Sequence, residues 1–276
     1  MISIVCAYEN TSILNDWLLK SLKAQTVEHE IITVDTAGHG FRSAAQALNF
    51  GGNQVRGKYI MFVHQDVDLV SPSWLADAEA LLDTIPNLGI VGVVGSVEEG
   101  GSVSERMRNV IAHGDDMEQI GNPISSPARV QTLDELLLIV PREVFQKYQF
   151  DENTCGNWHF YGTDYCLTML TMGKGVYVIP LYVIHKSKGA SANKLSFIFN
   201  FGLSRDYYQT LEKVLNKHKK KFVWIYTTPG YGKWKTQDFW MKDIPGMIRD
   251  RDSLPGIVLV NFVTSTLTTE RETGFF

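Results

Sequence analysis

The sequence predicts an α/β fold in which helices cover both faces of a mostly parallel sheet. Short, continuous apolar segments alternate with helical patterns from the first residues onward. Strands that are apolar throughout are typical of parallel sheets buried on both faces. The chain has 276 residues, of which 44% are hydrophobic and 20% charged, and this is enough to bury a core of that kind.

The alternation is clearest in the first part of the chain. Residues 2–7 form an apolar run that is typical of a buried strand, and residues 12–24 carry apolar side chains at helical spacing. The same two patterns then repeat. The predicted elements are strand 2–7, helix 12–24, strand 30–34, helix 43–50, strand 58–63, helix 73–84 and strand 88–94.

The second part of the chain begins with little periodicity, and residues 95–127 are predicted to form a long loop. Regular patterns then return, as strand 130–140, helix 141–148, helix 160–170, strand 175–184, helix 193–221 and a late apolar run at 257–263. The composition becomes rich in Gly, Pro and Trp after Phe222. We therefore expect a main domain, residues 1–221, and a C-terminal extension, residues 222–276.

Charge and cysteine usage narrow the class of protein. A net charge of -4 and a pI near 6.0 argue against a nucleic-acid partner, since such partners favour basic surfaces. The three cysteines form no CxxC pair, which is typical of a reducing compartment. The chain starts with a strand-like segment without the features of a secretory signal, so we expect a cytoplasmic protein.

Membrane spans are not predicted, because no apolar run reaches the roughly 18 residues that a spanning helix needs. The basic run from Lys217 to Lys221 is usually a solvated helix end. The alternative is contact with the anionic surface of a membrane, at its inner face.

Ligands of open parallel sheets bind beyond the carboxyl ends of the strands. Tyr8 and Glu9 follow the first predicted strand, Asp35 follows the second, and Asp66 and Asp68 follow the third. Two carboxylates in that position suit a hard divalent cation such as Mg²⁺ or Mn²⁺, which completes its shell with phosphate oxygens. The sequence therefore predicts a metal site at this edge of the sheet.

Four segments together resemble family 2 type glycosyltransferases with the GT-A fold. They are ISIVCAYEN at 2–10, EIITVDTAG at 30–38, the passage 49–68 and HFYGTDYCL at 159–167, and they span roughly the first 200 residues. Each segment is a loose motif, but their order and spacing are specific. The resemblance implies a metal-dependent transferase that takes a sugar from a nucleotide sugar, with UDP-sugars favoured. It also implies a saccharide or other hydroxyl acceptor and inversion at the anomeric carbon.

The resemblance also implies roles for the residues at the strand ends. Tyr8 and Glu9 match the loop around the nucleoside, and Asp35 matches the acid that hydrogen-bonds the base. Asp66 and Asp68 match the motif that binds the metal, with Asp66 also near the nucleotide.

Two further residues take roles from the same comparison. Asp164, at the start of a predicted helix, matches the catalytic base that removes the proton of the acceptor hydroxyl. His185, after the strand 175–184, matches a position sometimes used as a further metal ligand. The chain departs from the family pattern at Thr36 and Thr163, where acidic residues are frequent.

Two other interpretations stay open at this point. Asp66 and Asp68 also resemble the nucleophile motif of haloacid dehalogenase type phosphohydrolases, in which Asp66 would form a phosphoaspartate. A binding protein that keeps the fold without activity is the third interpretation. A dinucleotide-binding oxidoreductase is disfavoured, because no GxGxxG follows the first strand.

Overall fold

The computed structural model describes residues 1–38, 40–114, 117–186, 205–228 and 233–237. Its strands are β1 Ile2–Tyr8, β2 Glu30–Asp35, β3 Tyr59–Val63, β4 Val67–Asp68, β5 Leu88–Gly92, β6 Gly95–Ser96, β7 Met107–Arg108, β8 Ile111–His113, β9 Glu118–Ile120, β10 Ala128–Arg129, β11 Thr132–Leu133, β12 Leu137–Pro141, β13 Gly175–Val178, β14 Ile184–His185, β15 Trp224–Tyr226 and β16 Lys233–Lys235. Its helices are α1 Thr11–Leu14, a π-helical turn Asn15–Leu19, α2 Lys20–Lys23, α3 Ala44–Gly52, α4 Trp74–Thr84, α5 Val103–Arg106, α6 Arg142–Lys147, α7 Tyr161–Thr171 and α8 Arg205–His218.

The central sheet has seven strands in the order β10-β13-β5-β12-β3-β1-β2. Five of them, β2, β1, β3, β5 and β13, run in one direction, while β12 and β10 run in the other. The strands β1, β3, β5 and β12 are almost wholly buried, as strands covered on both faces must be. The predicted α/β fold with a mostly parallel sheet is confirmed.

The predicted helices begin and end close to the expected residues. The 12–24 helix forms as α1, a π-helical turn and α2 in continuous succession, and it buries Leu14, Leu18 and Leu22 on one face. Helix α3 starts after Ser43, whose hydroxyl accepts the backbone N–H of Gln46 as an N-cap. The three cysteines are free and buried, as expected of structural thiols.

The prediction of a long loop over residues 95–127 is wrong. This segment contains β6, α5, β7, β8 and β9, which are strands of two or three residues and one helical turn. Strands this short show no alternation of apolar and polar residues, because a period of two needs more than one repeat to be visible. Their pairing partners fix them instead: β6 lies between β7 and β11 in a separate three-stranded sheet.

The predicted strand 175–184 is divided between two sheets. Strand β13 ends at Val178 in the central sheet, and β14 joins a second sheet in the order β4-β14-β8-β9. In this second sheet His185 lies opposite Val67 on one side and opposite His113 on the other. The small sheet therefore brings the end of one predicted strand to the residues that follow β3.

The start of the C-terminal extension packs on the main domain. Strands β15 and β16 form a hairpin, and Ile225 in its first strand is completely buried. The side chain of Gln131 donates to the Trp224 carbonyl and accepts from the Tyr226 N–H, at 3.0 and 2.7 Å. The division at residue 221 stays a prediction, and the strand predicted at 257–263 lies outside the described residues, as does the predicted helix before Arg205. None of the helices described is both long and apolar enough to cross a membrane.

Candidate active site

The candidate site lies where the chain leaves β3. After Val63 the backbone turns through His64, Gln65 and Asp66 and enters β4. The N–H of His64 donates to the Leu136 carbonyl at 3.0 Å, and the Asp66 carbonyl accepts the N–H of Lys186 at 3.0 Å. The turn is therefore fixed on one side by the segment before β12 and on the other by the end of β14.

Three side chains converge at this turn. His185 Nε2 lies 3.3 Å from Asp66 Oδ1 and 3.5 Å from His64 Nδ1. One ligand atom from each of the three residues falls within 4.8 Å of the others, which is the arrangement of a metal-binding cluster. The second sheet makes this possible, since the register that pairs His185 with Val67 places it beside Asp66.

The protonation of the cluster favours a cation. Burial lowers the pKa of His64, and the neighbouring His185 lowers it further. Burial acts to raise the pKa of Asp66, but its hydrogen bond to His185 and the charges of both histidines outweigh burial and lower it. At neutral pH the cluster thus offers the ionised carboxylate of Asp66 and the nitrogen lone pair of a neutral His64.

The donor set fits a divalent metal. The carboxylate oxygen suits Mn²⁺, which as a first-row transition metal also accepts imidazole nitrogens, whereas Mg²⁺ prefers oxygen ligands alone. Three protein ligands would leave positions for substrate oxygens. A third histidine lies next to the cluster, since the His113 ring centroid is 5.2 Å from that of His185. Burial lowers the pKa of His113.

The structure brings together two of the three predicted metal ligands, Asp66 and His185, and adds His64. Asp68 lies outside this cluster, because its Oδ1 accepts the N–H of Val70 at 2.7 Å and so stabilises a residue with a φ of 63°. The metal role predicted for Asp68 stays a prediction, and it competes with the cluster of His64, Asp66 and His185. The signal for His64 was present in the sequence: it stands two residues before Asp66, at the first position after a buried strand.

The predicted nucleotide-binding residues lie on the loops next to this turn. Tyr8 lies opposite Asp35 in the parallel pairing of β1 with β2. The side chain of Gln65 accepts the backbone N–H groups of Glu9 and Asn10, at 3.2 and 3.0 Å. The loop after β1 is therefore held directly by the residue between His64 and Asp66.

Asp35 uses one carboxylate oxygen within its own loop. Its Oδ1 accepts the N–H groups of Ala37 and Gly38, at 2.9 and 3.1 Å. A Cβ atom added at Gly38 would lie 3.0 Å from the other oxygen, Oδ2, which is closer than an ordinary contact. The contact of Asp35 with a base stays a prediction.

A small cavity of about 80 Å³ opens beside His64. Its wall is apolar and comes from β1, β3 and α3, and Trp158 and Tyr161 complete it. Trp158 is 44% exposed, which is high for so large a hydrophobic side chain. Its loop is nevertheless fixed by Asn157. The Asn157 side chain donates to the Asp206 carbonyl and to the Thr210 hydroxyl, and the Asn157 backbone carbonyl accepts the N–H of Ala44.

Helix α7 begins next to the cavity in an unusual way. Its N-cap residue Phe160 has a left-handed backbone, with φ of 65°, and no side-chain cap of its own. The carboxyl group of Glu135 instead accepts the N–H of Gly162 at 2.8 Å. Burial raises the pKa of Glu135 to about 8, although the backbone N–H groups at the start of α7 act in the opposite direction.

Asp164, the predicted base, lies in the first turn of α7 and is 2% exposed. Its Oδ1 lies 2.8 Å from His218 Nε2, and its Oδ2 accepts from Lys217 Nζ at 2.7 Å. Lys217 also donates to Asp151 at 2.9 Å. Burial acts to raise the pKa of Asp151, but its hydrogen bonds with Thr154 and Lys217 outweigh burial and lower it. Both oxygens of Asp164 are therefore engaged by α8, and its role as base stays a prediction.

Comparison with known proteins gives one family. Residues 4–217 match the model of a family described as glycosyltransferase-like. A protein of Fuscovulum blasticum named "ATP synthase subunits region ORF 6" is 31% identical over 155 residues. The match covers 53% of this chain and 57% of that protein, so the chain spans little more than half the length of this relative.

Three solved structures share the fold. A mannosyltransferase of Pyrobaculum calidifontis, solved with GDP-Man and Mn²⁺, has a TM-score of 0.53 at 15% identity, with 80% of this chain and 64% of that chain covered. GalNAc-T7 with UDP, GalNAc and Mn²⁺ gives 0.52 at 14% identity, with 78% and 48% covered. Residues 1–349 of S. aureus TarS with UDP-GlcNAc give 0.51 at 13% identity, with 78% and 65% covered. At such identities the likeness shows the fold, and the predicted GT-A fold is confirmed.

Proposed function

The chain belongs to the glycosyltransferase-like family, and we propose that it transfers a sugar from a nucleoside-diphosphate sugar to an acceptor hydroxyl at the turn after β3. The observation that carries the proposal is the convergence of His64, Asp66 and His185 at this edge of the sheet. Family membership alone would suit an inactive binding protein equally well. Three side chains able to hold a cation, at the place where the diphosphate of such a donor would lie, favour an enzyme over an inactive binding protein.

The three ligands would hold Mn²⁺, which supplies positive charge to the diphosphate as it leaves the sugar. The protein's own part is to orient the donor. Lys186 adds a cation at this place, since its backbone N–H holds the Asp66 carbonyl and its ammonium lies 4.7 Å from the centre of the Trp17 ring. Two of the structural neighbours were solved with Mn²⁺, which agrees with this choice.

We assign the nucleoside to the loops after β1 and β2, around Tyr8, Glu9 and Asp35. Gln65 supports this assignment, because it joins the first of these loops to the metal turn. UDP remains our favoured nucleotide. The neighbours named above hold UDP, UDP-GlcNAc or GDP-Man, so their ligands include both uracil and guanine.

The acceptor would enter beside Trp158 and the cavity next to His64. An exposed indole held on a fixed loop offers an apolar face to the C–H surface of a sugar ring, so we propose a saccharide acceptor. Asp164 is the base that the sequence suggests, with inversion in one displacement. To act in this way the carboxylate would have to leave Lys217 and His218.

The phosphohydrolase interpretation finds little support in the site. A nucleophilic Asp66 needs an unencumbered oxygen facing a phosphate, whereas Asp66 Oδ1 lies 3.3 Å from His185 Nε2. The family match also points elsewhere.

Contact with an anionic membrane surface is a further part of the proposal, but the structure changes which residues could make it. Lys217 is engaged by two carboxylates and His218 is buried, so these two residues have other roles. Lys219, Lys220 and Lys221 are exposed and could face a surface.

Calorimetry of UDP with the wild-type protein tests the proposed function. We expect UDP to bind at least about 10-fold more tightly with Mn²⁺ than with chelator, and His185→Ala to lose this difference. Glu143→Gln, an exposed acid on α6, is the matched control and should behave as wild type. Release of UDP from a panel of UDP-sugars with a saccharide acceptor then separates an enzyme from a binding protein. Equal affinity with and without Mn²⁺ would contradict the metal site.

A further inference from the structure

The hydroxyl group of Tyr161 lies between the candidate metal site and the backbone. It is 3.3 Å from His64 Nε2 and 3.2 Å from the carbonyl oxygen of Glu135. The residue is only 5% exposed, so water does not replace these partners readily. The phenol thus connects a proposed metal ligand with a fixed acceptor.

The direction of these two hydrogen bonds follows from their chemistry. A carbonyl oxygen can only accept, so the single proton of the Tyr161 hydroxyl points to Glu135. The hydroxyl then presents a lone pair to His64, and the facing Nε2 must carry the imidazole proton. A neutral His64 with its proton on Nε2 has a bare Nδ1.

The bare nitrogen is the one that faces the cluster, since His64 Nδ1 lies 3.5 Å from His185 Nε2 and on the side of Asp66. We propose that Tyr161 is a positioning residue that holds His64 in the Nε2–H tautomer and so prepares Nδ1 as a metal ligand. This inference rests on the proposed function, because it takes the cluster to be a metal site. Histidine ligands of metals commonly donate their other ring N–H to a partner that fixes their orientation.

The position of Tyr161 is itself strongly determined. It is the first residue of α7, and Glu135 fixes the start of that helix by accepting the Gly162 N–H at 2.8 Å. Its ring packs edge-on against Phe150, with centroids 5.6 Å apart. The same residue, Glu135, therefore provides the acceptor for the hydroxyl and anchors the helix that carries it.

The simpler role for Tyr161 is core packing, and the ring alone would serve that role. Tyr161→Phe keeps the ring and removes the hydroxyl, so it separates the two roles. Tyr165, one turn along α7, is a matched control because it is equally buried and its hydroxyl donates to the Tyr148 carbonyl at 2.7 Å. That bond lies away from the cluster.

The first test measures Mn²⁺ binding to the nucleotide-free protein by calorimetry. We expect Tyr161→Phe to bind Mn²⁺ about 10-fold more weakly, the lower end of the effect of losing such a partner, and Tyr165→Phe to bind as wild type. Equal Mn²⁺ affinity of Tyr161→Phe and wild type would overturn the inference. A wild-type protein that binds no Mn²⁺ would overturn the proposed metal site and this inference together.

The second test measures the tautomer in the wild-type protein and uses a variant only to assign the signals. Nitrogen chemical shifts of ¹⁵N-histidine in the metal-free wild-type protein distinguish the two neutral tautomers, and His64→Gln identifies the His64 signals. We expect the proton of His64 on Nε2. A proton on Nδ1 would overturn the inference even if Mn²⁺ binds, and the proposed function would then stand without it.

Discussion

Asp66 and Asp164 are both carboxylates beside basic side chains, and the family resemblance implies a role in the reaction for both. Their surroundings differ in the charge of the partner. Asp66 lies 3.3 Å from a histidine, in a cluster whose other imidazole has a lowered pKa. Asp164 lies 2.7 Å from the ammonium of Lys217 and 2.8 Å from His218.

This difference decides what each acid is able to bind. The lowered pKa of His64 keeps this imidazole from compensating the negative charge of Asp66, and the Asp66 side chain is 18% exposed, so a cation from solution can reach the carboxylate. Lys217 compensates the charge of Asp164, whose side chain is 3% exposed. Asp66 is therefore suited to bind a metal, whereas Asp164 connects α7 to α8.

Replacing Asp66 should have the largest effect on function and a small one on stability. We expect Asp66→Asn to lose Mn²⁺ binding and to reduce sugar transfer by roughly 10³-fold, since a metal contributes several kcal/mol to a transition state of this type. The unfolding free energy should change little, because no buried cation loses its partner. Transfer and urea unfolding measured on the same preparation check both parts, and Mn²⁺ binding that survives unchanged would contradict the first.

Replacing Asp164 should, in contrast, have a large effect on stability. We expect Asp164→Asn to lower the free energy of unfolding by about 3 kcal/mol, because it leaves Lys217 and His218 without their buried carboxylate. UDP affinity of the folded protein should survive. Urea unfolding provides the measurement, and an unchanged stability would mean that the pairing with α8 contributes little.

The same variant decides the predicted base. Transfer that falls by ~10² to 10⁴ in the folded fraction, with UDP affinity retained, would support Asp164 as the group that removes the acceptor proton. Near-normal transfer would eliminate that role and leave the connection to α8.

Glu135 extends the comparison to an acid that has no cationic partner in the part of the chain that the structure describes. Its pKa is raised to about 8 from 4.5, so the folded protein holds this proton more tightly than the unfolded chain does. Stability from this group is fully present below about pH 4.5 and declines as the pH rises to 8. Because one pKa unit corresponds to about 1.4 kcal/mol, we expect Glu135→Gln to match wild type near pH 6 and to be more stable by about 3 kcal/mol at pH 9. If the free energies of unfolding of Glu135→Gln and wild type changed with pH in the same way across this range, the raised pKa of Glu135 would be contradicted.

Trp158 offers the smallest effect and concerns the acceptor alone. We expect Trp158→Ala to raise the KM for a saccharide acceptor about 10-fold, as for the loss of an exposed aromatic contact, with little change in stability. The KM for the UDP-sugar should stay the same. A change in the donor KM instead would place the sugar of the donor at this indole.

The sequence predicted the fold and the position of the site because both depend on local patterns. Apolar runs, helical spacing and acids directly after strands are visible in single segments. Asp66 is predicted in this way, whereas His185 is predicted only from the family resemblance. Neither route predicts His64, because its role depends on the convergence of three residues, which the small sheet that contains β14 produces.

The environment of Asp164 could not be predicted from the sequence, for a different reason. Its partners lie 53 and 54 residues later, and nothing in the pattern of either segment shows that α8 packs against α7. The basic run that ends α8 was instead considered for a membrane surface, since a lysine that pairs with a distant acid has the same sequence signature as an exposed one.

The central claim is that the metal site consists of His64, Asp66 and His185, and pulsed EPR of bound Mn²⁺ in ¹⁵N-histidine protein tests it most directly. We expect couplings from two histidine nitrogens in the wild-type protein, from one in His64→Ala, and from two again in Asp68→Ala. The affinity for Mn²⁺ should fall at least about 10-fold in His64→Ala and stay near wild type in Asp68→Ala. Bound Mn²⁺ without any histidine coupling, or affinity lost in Asp68→Ala and kept in His64→Ala, would contradict this metal site.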